Sequence, residues 1–379
     1  MTLLVFSTAA NQFGPRLMPR FLRDRSMQVT LGLFLATFLY CLAAFVFTGH
    51  RGNAAFVPQL TLLTTVGFVF TSFGYLLVYN NQVAQAIQTN NVLPHIVEDL
   101  YAAISELATP RVIETAVGPA PQTVETAEKL WNRCAAEGSP ILATTSGYVQ
   151  RINHAWLVHA ADRRDVVVHM AFRPGQFVLE GEALAHVLPA AHGAEMAAEI
   201  HGAVMLGQHR TLEQDIEFAF AQLSEIAIRA LSPAINDTYT GLICIDWLGD
   251  ALRMMVGFPM SDGAWRTRQG QLRLLIPPLR LEQIIRCAFD LIRQAGASSP
   301  AVTIRLLQTF ARLAPQLQNM EQRRAVLEEA EAVREGAARI CEVGLDRVAV
   351  DAAYRLARER LSVGLENPEV PESPTNPAL

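Results

Sequence analysis

Between Gln208 and Asp246 the chain sets acids, amides and arginines at a spacing that one side of a helix would share. Asp215, Gln222 and Arg229 recur every seven residues, with Glu225 between the last two. A helix drifts by only about 20° per heptad, so these side chains stack in one stripe. Ile216, Phe220, Leu223, Ala227 and Ala230 form an apolar stripe beside it. Carboxylates and amides around a tight turn can hold a hard cation or another small polar ligand. The candidate set is Arg210, Glu213, Asp215, Gln222, Glu225, Arg229, Asn236, Asp237 and Asp246. The same residues better suit a polar clasp, in which two consecutive helices lock through buried ion pairs that fix geometry more than they add stability.

The elements that would position this set can be read locally. Thr211 is expected to cap the first helix, with Glu213, Asp215 and Glu217 in its early turns and Arg229 near its other end, where the helix dipole favours each sign. Leu231-Ser232-Pro233 ends that helix, because proline disfavours helical backbone in the residue before it. Asn236 or Asp237 then caps a second helix through Ile243, Trp247 and Leu252, along which Asp246, Asp250 and Arg253 share one side. No nucleophile–base pair, phosphate loop or metal motif accompanies the set, so no catalytic residue is assigned. Seven of the nine histidines lie between His154 and His209. None forms an HExxH pair, and they read as scattered surface and strand residues rather than ligands, so no metal and no cofactor is expected.

Composition places these elements beside a membrane. Of 379 residues 51% are hydrophobic and only 18% charged, against roughly 25% in soluble proteins. The formal net charge of −5 gives no basic footprint for nucleic acid. Five scattered cysteines without a CxxC pair fit a reducing compartment. Met27–Phe47 and Phe56–Tyr79 are uncharged apolar runs, each meeting the roughly 20 residues needed to cross a bilayer. A short connection makes them an antiparallel hairpin. Arg16, Arg20, Arg23 and Arg25 precede the first span, while the connection offers only His50 and Arg51. The positive-inside rule therefore puts the N-terminal segment and everything after Tyr79 in the cytoplasm of a bacterial cell, with the hairpin in the inner membrane.

The remaining chain divides by pattern. Residues 1–26 read as the remnant of a preceding span plus a basic segment, which a misplaced start would explain. Residues 27–80 are the hairpin and 81–140 a helical linker. Residues 141–200 contain β-branched alternation, with turns at Arg173-Pro174-Gly175 and Glu180-Gly181. Their layout resembles the small β-sandwich of biotinyl and lipoyl carrier domains, without any lysine to carry the group. Residues 201–364 follow helical periods from Leu272 onward and predict a bundle, with Glu328, Glu329, Arg334 and Glu335 on a solvated face. Residues 365–379 are proline-rich and predicted to be disordered. The fold class expected is a membrane α-helical hairpin plus a cytoplasmic α+β region, a small β-sandwich followed by a helical bundle.

NQFGPRLMPRFLRDRSMQVTLGLFLATFLY, SGYVQRIN with RPGQFVLEGEALAHV, and QHRTLEQDIEFAFAQLSEIAIRALSPAINDTYT together resemble the bacterial domain-of-unknown-function family 2254 of predicted membrane proteins. The resemblance covers nearly the whole chain before its tail. It implies four spans, of which two would be missing here, and it brings no activity or catalytic residue. Three functions compete. The first is a non-enzymatic membrane protein whose cytoplasmic domain assembles, as a homo-oligomer, or senses a small ligand or ion. The second is an oligomeric channel or transporter, with Thr61, Thr64, Thr65, Thr71 and Ser72 as a pore face. The third is a membrane-tethered enzyme using residues 210–246.

Overall fold

The structure, a computed structural model, describes residues 25–47, 59–86, 89–108, 127–258, 262–340 and 343–363. The readings made on residues 1–24, on the connection between the spans and on the tail lie outside the described residues. The chain divides into two compact units, residues 1–95 and 96–379.

In the first unit, helices α1 (Arg25–Phe47) and α2 (Gln59–Ala86) pack together. Tyr40 meets Phe68 with ring centroids 5.1 Å apart. Both helices are long and apolar enough to cross a membrane, over Gln28–Val46 and Gln59–Tyr79. Thr30, Thr37 and Ser72 are buried, while Leu35, Phe38, Leu60 and Phe70 stay exposed. An apolar surface of this kind suits a hydrocarbon solvent, in which every backbone polar group must be satisfied within the helix. The hydroxyls follow the same logic. Thr64, Thr65, Thr71 and Ser72 donate to the carbonyls of Leu60, Thr61, Gly67 and Phe68, one turn back, at 2.7–2.9 Å. Helix α3 (Thr89–Ala108) follows α2 in the chain.

The second unit holds two sheets among helices. Helix α4 (Ala127–Glu137) precedes β1 (Ser139–Leu142) and β2 (Gly147–Ile152). Helix α5 (His154–Arg163) leads to β3 (Val167–Met170), β4 (Phe177–Val178) and β5 (Ala183–Leu188), and helix α6 (Gly193–Ala203) to β6 (Val204–Gly207). After α7 (Ile216–Leu231) and α8 (Thr238–Val256) come β7 (Ala264–Arg266) and β8 (Leu272–Leu275). One sheet has the order β1-β5-β3-β8-β7, the other β4-β2-β6. All pairs are antiparallel except β3 with β8, which aligns Val168 with Leu274. Between sheets and helices, Ile152, Leu157, Met170, Val178, Met196 and Ile200 form the core.

The coarse expectation is met: two apolar helices and a largely helical remainder with some sheet. A biotinyl- or lipoyl-like sandwich is not established. Helices α5 and α6 interrupt the strands, and β7 and β8 reach the five-stranded sheet from residues 264–275. Residues 154–163 are helical because Asn153 caps them, accepting from the Trp156 N–H at 3.1 Å. One local reading is corrected here. Leu272–Leu275, expected to open a helix, is a buried strand; four residues, Leu-Arg-Leu-Leu, are too few to display a period, and the partner strand β3 decides.

The remaining helices are α9 (Leu281–Ala295), α10 (Pro300–Leu313), α11 (Met320–Ile340) and α12 (Gly344–Ser362). Phe289 and Phe310 meet edge to face at 5.2 Å, both fully buried. Glu329 is not on a solvated face. It is buried and accepts from Arg293 Nε at 3.0 Å, and its burial raises its pKa above the usual carboxylate value.

Candidate functional site

The structure separates the candidate residues along helix α7. This helix has 16 residues, so its ends lie about 24 Å apart. Arg210, Glu213 and Asp215 gather at its start, and Asn236 and Asp237 follow its end. One pocket cannot contain both groups.

At the start, Asp215 and not Thr211 is the cap. Its Oδ1 accepts from the Phe218 N–H at 3.0 Å. The helix therefore begins one turn later than the Thr211 cap requires, and the Thr211 hydroxyl is buried with no partner among the described residues. Arg210 grips the same carboxylate with two bonds, Nε to Oδ2 at 2.6 Å and Nη2 to Oδ1 at 2.8 Å, and lies 5.3 Å over the Phe218 ring. Asp215 is only 3% exposed. Burial alone would lower the Arg210 pKa, but the hydrogen bonds and charge of Asp215 hold it above the ordinary guanidinium value.

Residues outside the expected set complete this corner. Arg173 pairs with Glu217 at 2.6 Å, both largely shielded. Gly175, two residues on, has φ +91°, and a Cβ there would overlap the Asp215 carboxylate. Gln214 spans the end of β2, accepting from the Ile152 N–H at 2.9 Å and donating to the Ile152 carbonyl at 3.2 Å. Glu213 reaches Arg151 at 3.5 Å in the open. The Arg173-Pro174-Gly175 turn was legible as a turn, and Gln214 stands within the TLEQD segment. Nothing local says that one docks on the other. Gly175→Ala is expected to cost at least about 1–2 kcal/mol, because only glycine accepts that backbone and that proximity. Chemical denaturation of the full chain measures this, and an unchanged midpoint would dismiss the close approach.

At the other end, Ser232 hydroxyl donates to the Arg229 carbonyl at 2.7 Å, and the Asp237 N–H returns to the Ala230 carbonyl at 2.7 Å. Asn236 is exposed with φ +52°, a left-handed position that asparagine tolerates better than most residues. Asp237 caps α8, accepting from the Thr240 N–H at 3.1 Å and the Thr240 hydroxyl at 2.5 Å. Glu225 and Arg229 pair at 3.2 Å along α7 itself. Asp246 turns to Arg305 of α10, at 2.6 Å, and Asp250 receives Tyr101 of α3 at 2.5 Å and Arg253 at 2.8 Å. The acids of α8 thus reach other elements. Helices α7 and α8 meet instead through apolar contact, so close that a Cβ on Gly241 would crowd the Leu231 side chain. Gln222 is half-buried on the flank of α7.

The arrangement has little reactive chemistry to offer. Burial, then the neighbouring Asp237, pushes the Cys244 thiol up to about 12. Burial, then Glu217, pushes Cys287 up to about 11. Neither forms a thiolate near neutrality.

Uncharacterised proteins of Mycobacterium tuberculosis and Mycobacterium bovis are 28% identical to this chain over 339 residues, 86% of it. The chain spans 62% of the length of these curated relatives. No solved structure matches it. The sequence pattern of the family described as "Predicted membrane protein (DUF2254)" matches residues 1–312. With that match over most of its length, the chain belongs to this family of predicted membrane proteins of unknown function.

Proposed function

We propose that this is a non-enzymatic, multi-pass protein of the bacterial inner membrane whose residues 96–379 lie in the cytoplasm and serve assembly into a homo-oligomer. The orientation rests on the arginine cluster before the first span. The observation that carries the functional reading is the saturation of Asp215, whose two oxygens take two bonds from Arg210 and one from the Phe218 N–H inside the protein. Asp237 is likewise occupied by Thr240. Polar groups consumed in this way support an architectural role for these two carboxylates. Large apolar side chains, by contrast, remain exposed on the same unit, Tyr239 and Leu345 among them.

The channel alternative draws less support, because four of the five span hydroxyls offered as a pore face, those of Thr64, Thr65, Thr71 and Ser72, already donate within their own helix.

Light scattering of the full chain in detergent should find a discrete oligomer, and a monomer at all concentrations would defeat the assembly reading. Millimolar calcium, magnesium or a nucleoside triphosphate should leave its melting temperature in place. A rise of several degrees that disappears in Asp237→Ala would replace architecture with ligand sensing.

A further inference from the structure

Helix α12 is apolar on two opposite sides. Its inner row, Val350, Tyr354, Ala357 and Leu361, is buried against α10 and α11. Its outer row is Leu345, Val348, Ala349, Ala352 and Leu356, all exposed; Leu345, Val348 and Leu356 are 82%, 65% and 42% exposed. A helix that only covers a bundle needs one apolar stripe and carries polar residues outward. Leu345, Val348, Ala352 and Leu356 instead follow three- and four-residue steps, the spacing of a helix-pairing seam. The alanines at its middle would let a second backbone approach closely.

Charge selects the occupant and its direction. The first half of α12, Gly344–Ala352, carries Asp346, Asp351 and Arg347, a net −1. The second half, Ala353–Ser362, carries Arg355, Arg358, Arg360 and Glu359, a net +2. A parallel pair would set like halves together, whereas an antiparallel pair sets each acidic half against a basic one. We propose that the outer face of α12 is an antiparallel seam between two copies of this chain, with Ala352 at the two-fold axis and Val348 of each copy against Leu356 of the other. This is an isologous contact, in which one patch complements itself. It deepens the assembly reading above and rests on it.

The test uses the full chain in detergent. Sedimentation equilibrium should show self-association that weakens about a hundredfold in Val348→Glu/Leu356→Glu, since four apolar side chains leave each seam. Both residues are exposed in the single chain, so its melting temperature should hold. Under mild oxidation Ala352→Cys should yield a covalent dimer above the wild-type background, and Leu345→Cys should not, because two copies of residue 345 lie far apart in this register. If the double variant associates as tightly as wild type, the seam is overturned while assembly stands. If the wild type never associates, both fail. Should the double variant not fold, the cross-links decide: a dimer from Leu345→Cys and none from Ala352→Cys overturns the register and the proposal with it.

Discussion

Replacing Asp215 with alanine lowers the stability of residues 96–379 by about 3–4 kcal/mol, read by chemical denaturation of the full chain. Removing one partner of a buried pair typically costs about 3–5 kcal/mol, because the survivor is left charged without compensation. Arg210 retains some contact with solvent, which places the expected loss toward the lower end, and the lost cap adds about 1 kcal/mol. Comparison variants make the number diagnostic. Glu213→Ala removes an exposed pair with Arg151 and should cost under about 1 kcal/mol. Asp237→Ala loses a cap alone and should cost about 1 kcal/mol. Equal small losses at all three positions would sink the idea that the corner at Asp215 organises the fold.

A second large effect depends on pH. His169 in β3 faces His186 across the strand pair, with Trp131 of α4 at 4.1 Å between ring centroids. It is 4% exposed, and neither ring nitrogen has a hydrogen-bond partner among the described residues. Burial, then the neighbouring His186, lowers its pKa from 6.5 to about 4. The unfolded chain therefore takes up this proton first on acidification. The neutral ring supports the fold fully above pH 6.5, loses that support as pH falls from 6.5 to about 4, and changes nothing further below. A drop of this size corresponds to roughly 3 kcal/mol. Denaturation midpoints of the full chain should fall over that interval, and His169→Phe should flatten the fall. An identical acid profile in His169→Phe would assign the sensitivity to other groups.

How much of this was legible depends on the range of the interaction concerned. Uncharged runs of some 20 residues identify the two apolar helices from composition alone, because a bilayer core has a fixed thickness. The break at Ser232-Pro233 and a cap at Asn236 or Asp237 were legible because a cap and a proline act within four residues; the structure selects Asp237. Glu329 was misread because an acid on a charged helix looks solvated until Arg293 of another helix is known to lie 3.0 Å away. His169 looked ordinary for the same reason: burial comes from Trp131 and His186, distant in sequence.

The candidate site shows the same division at closer range. By itself the sequence determined that Gln222, Glu225 and Arg229 share a helix side and that the helix ends before Pro233, since both follow from backbone geometry; Asp215, expected within the same stripe, stands before the helix as its cap. Only the tertiary structure decided which partners these polar residues take. It sent Arg210 to Asp215, Asp246 to Arg305 and Asp250 to Tyr101, and it brought Gly175 against the Asp215 carboxylate. Apart from Arg210 and Asp215, which are only 5 residues apart, the paired acids and their partners lie 59 to 149 residues away. Side-chain pairing at such separations is fixed by how whole helices and sheets pack, which no local spacing encodes.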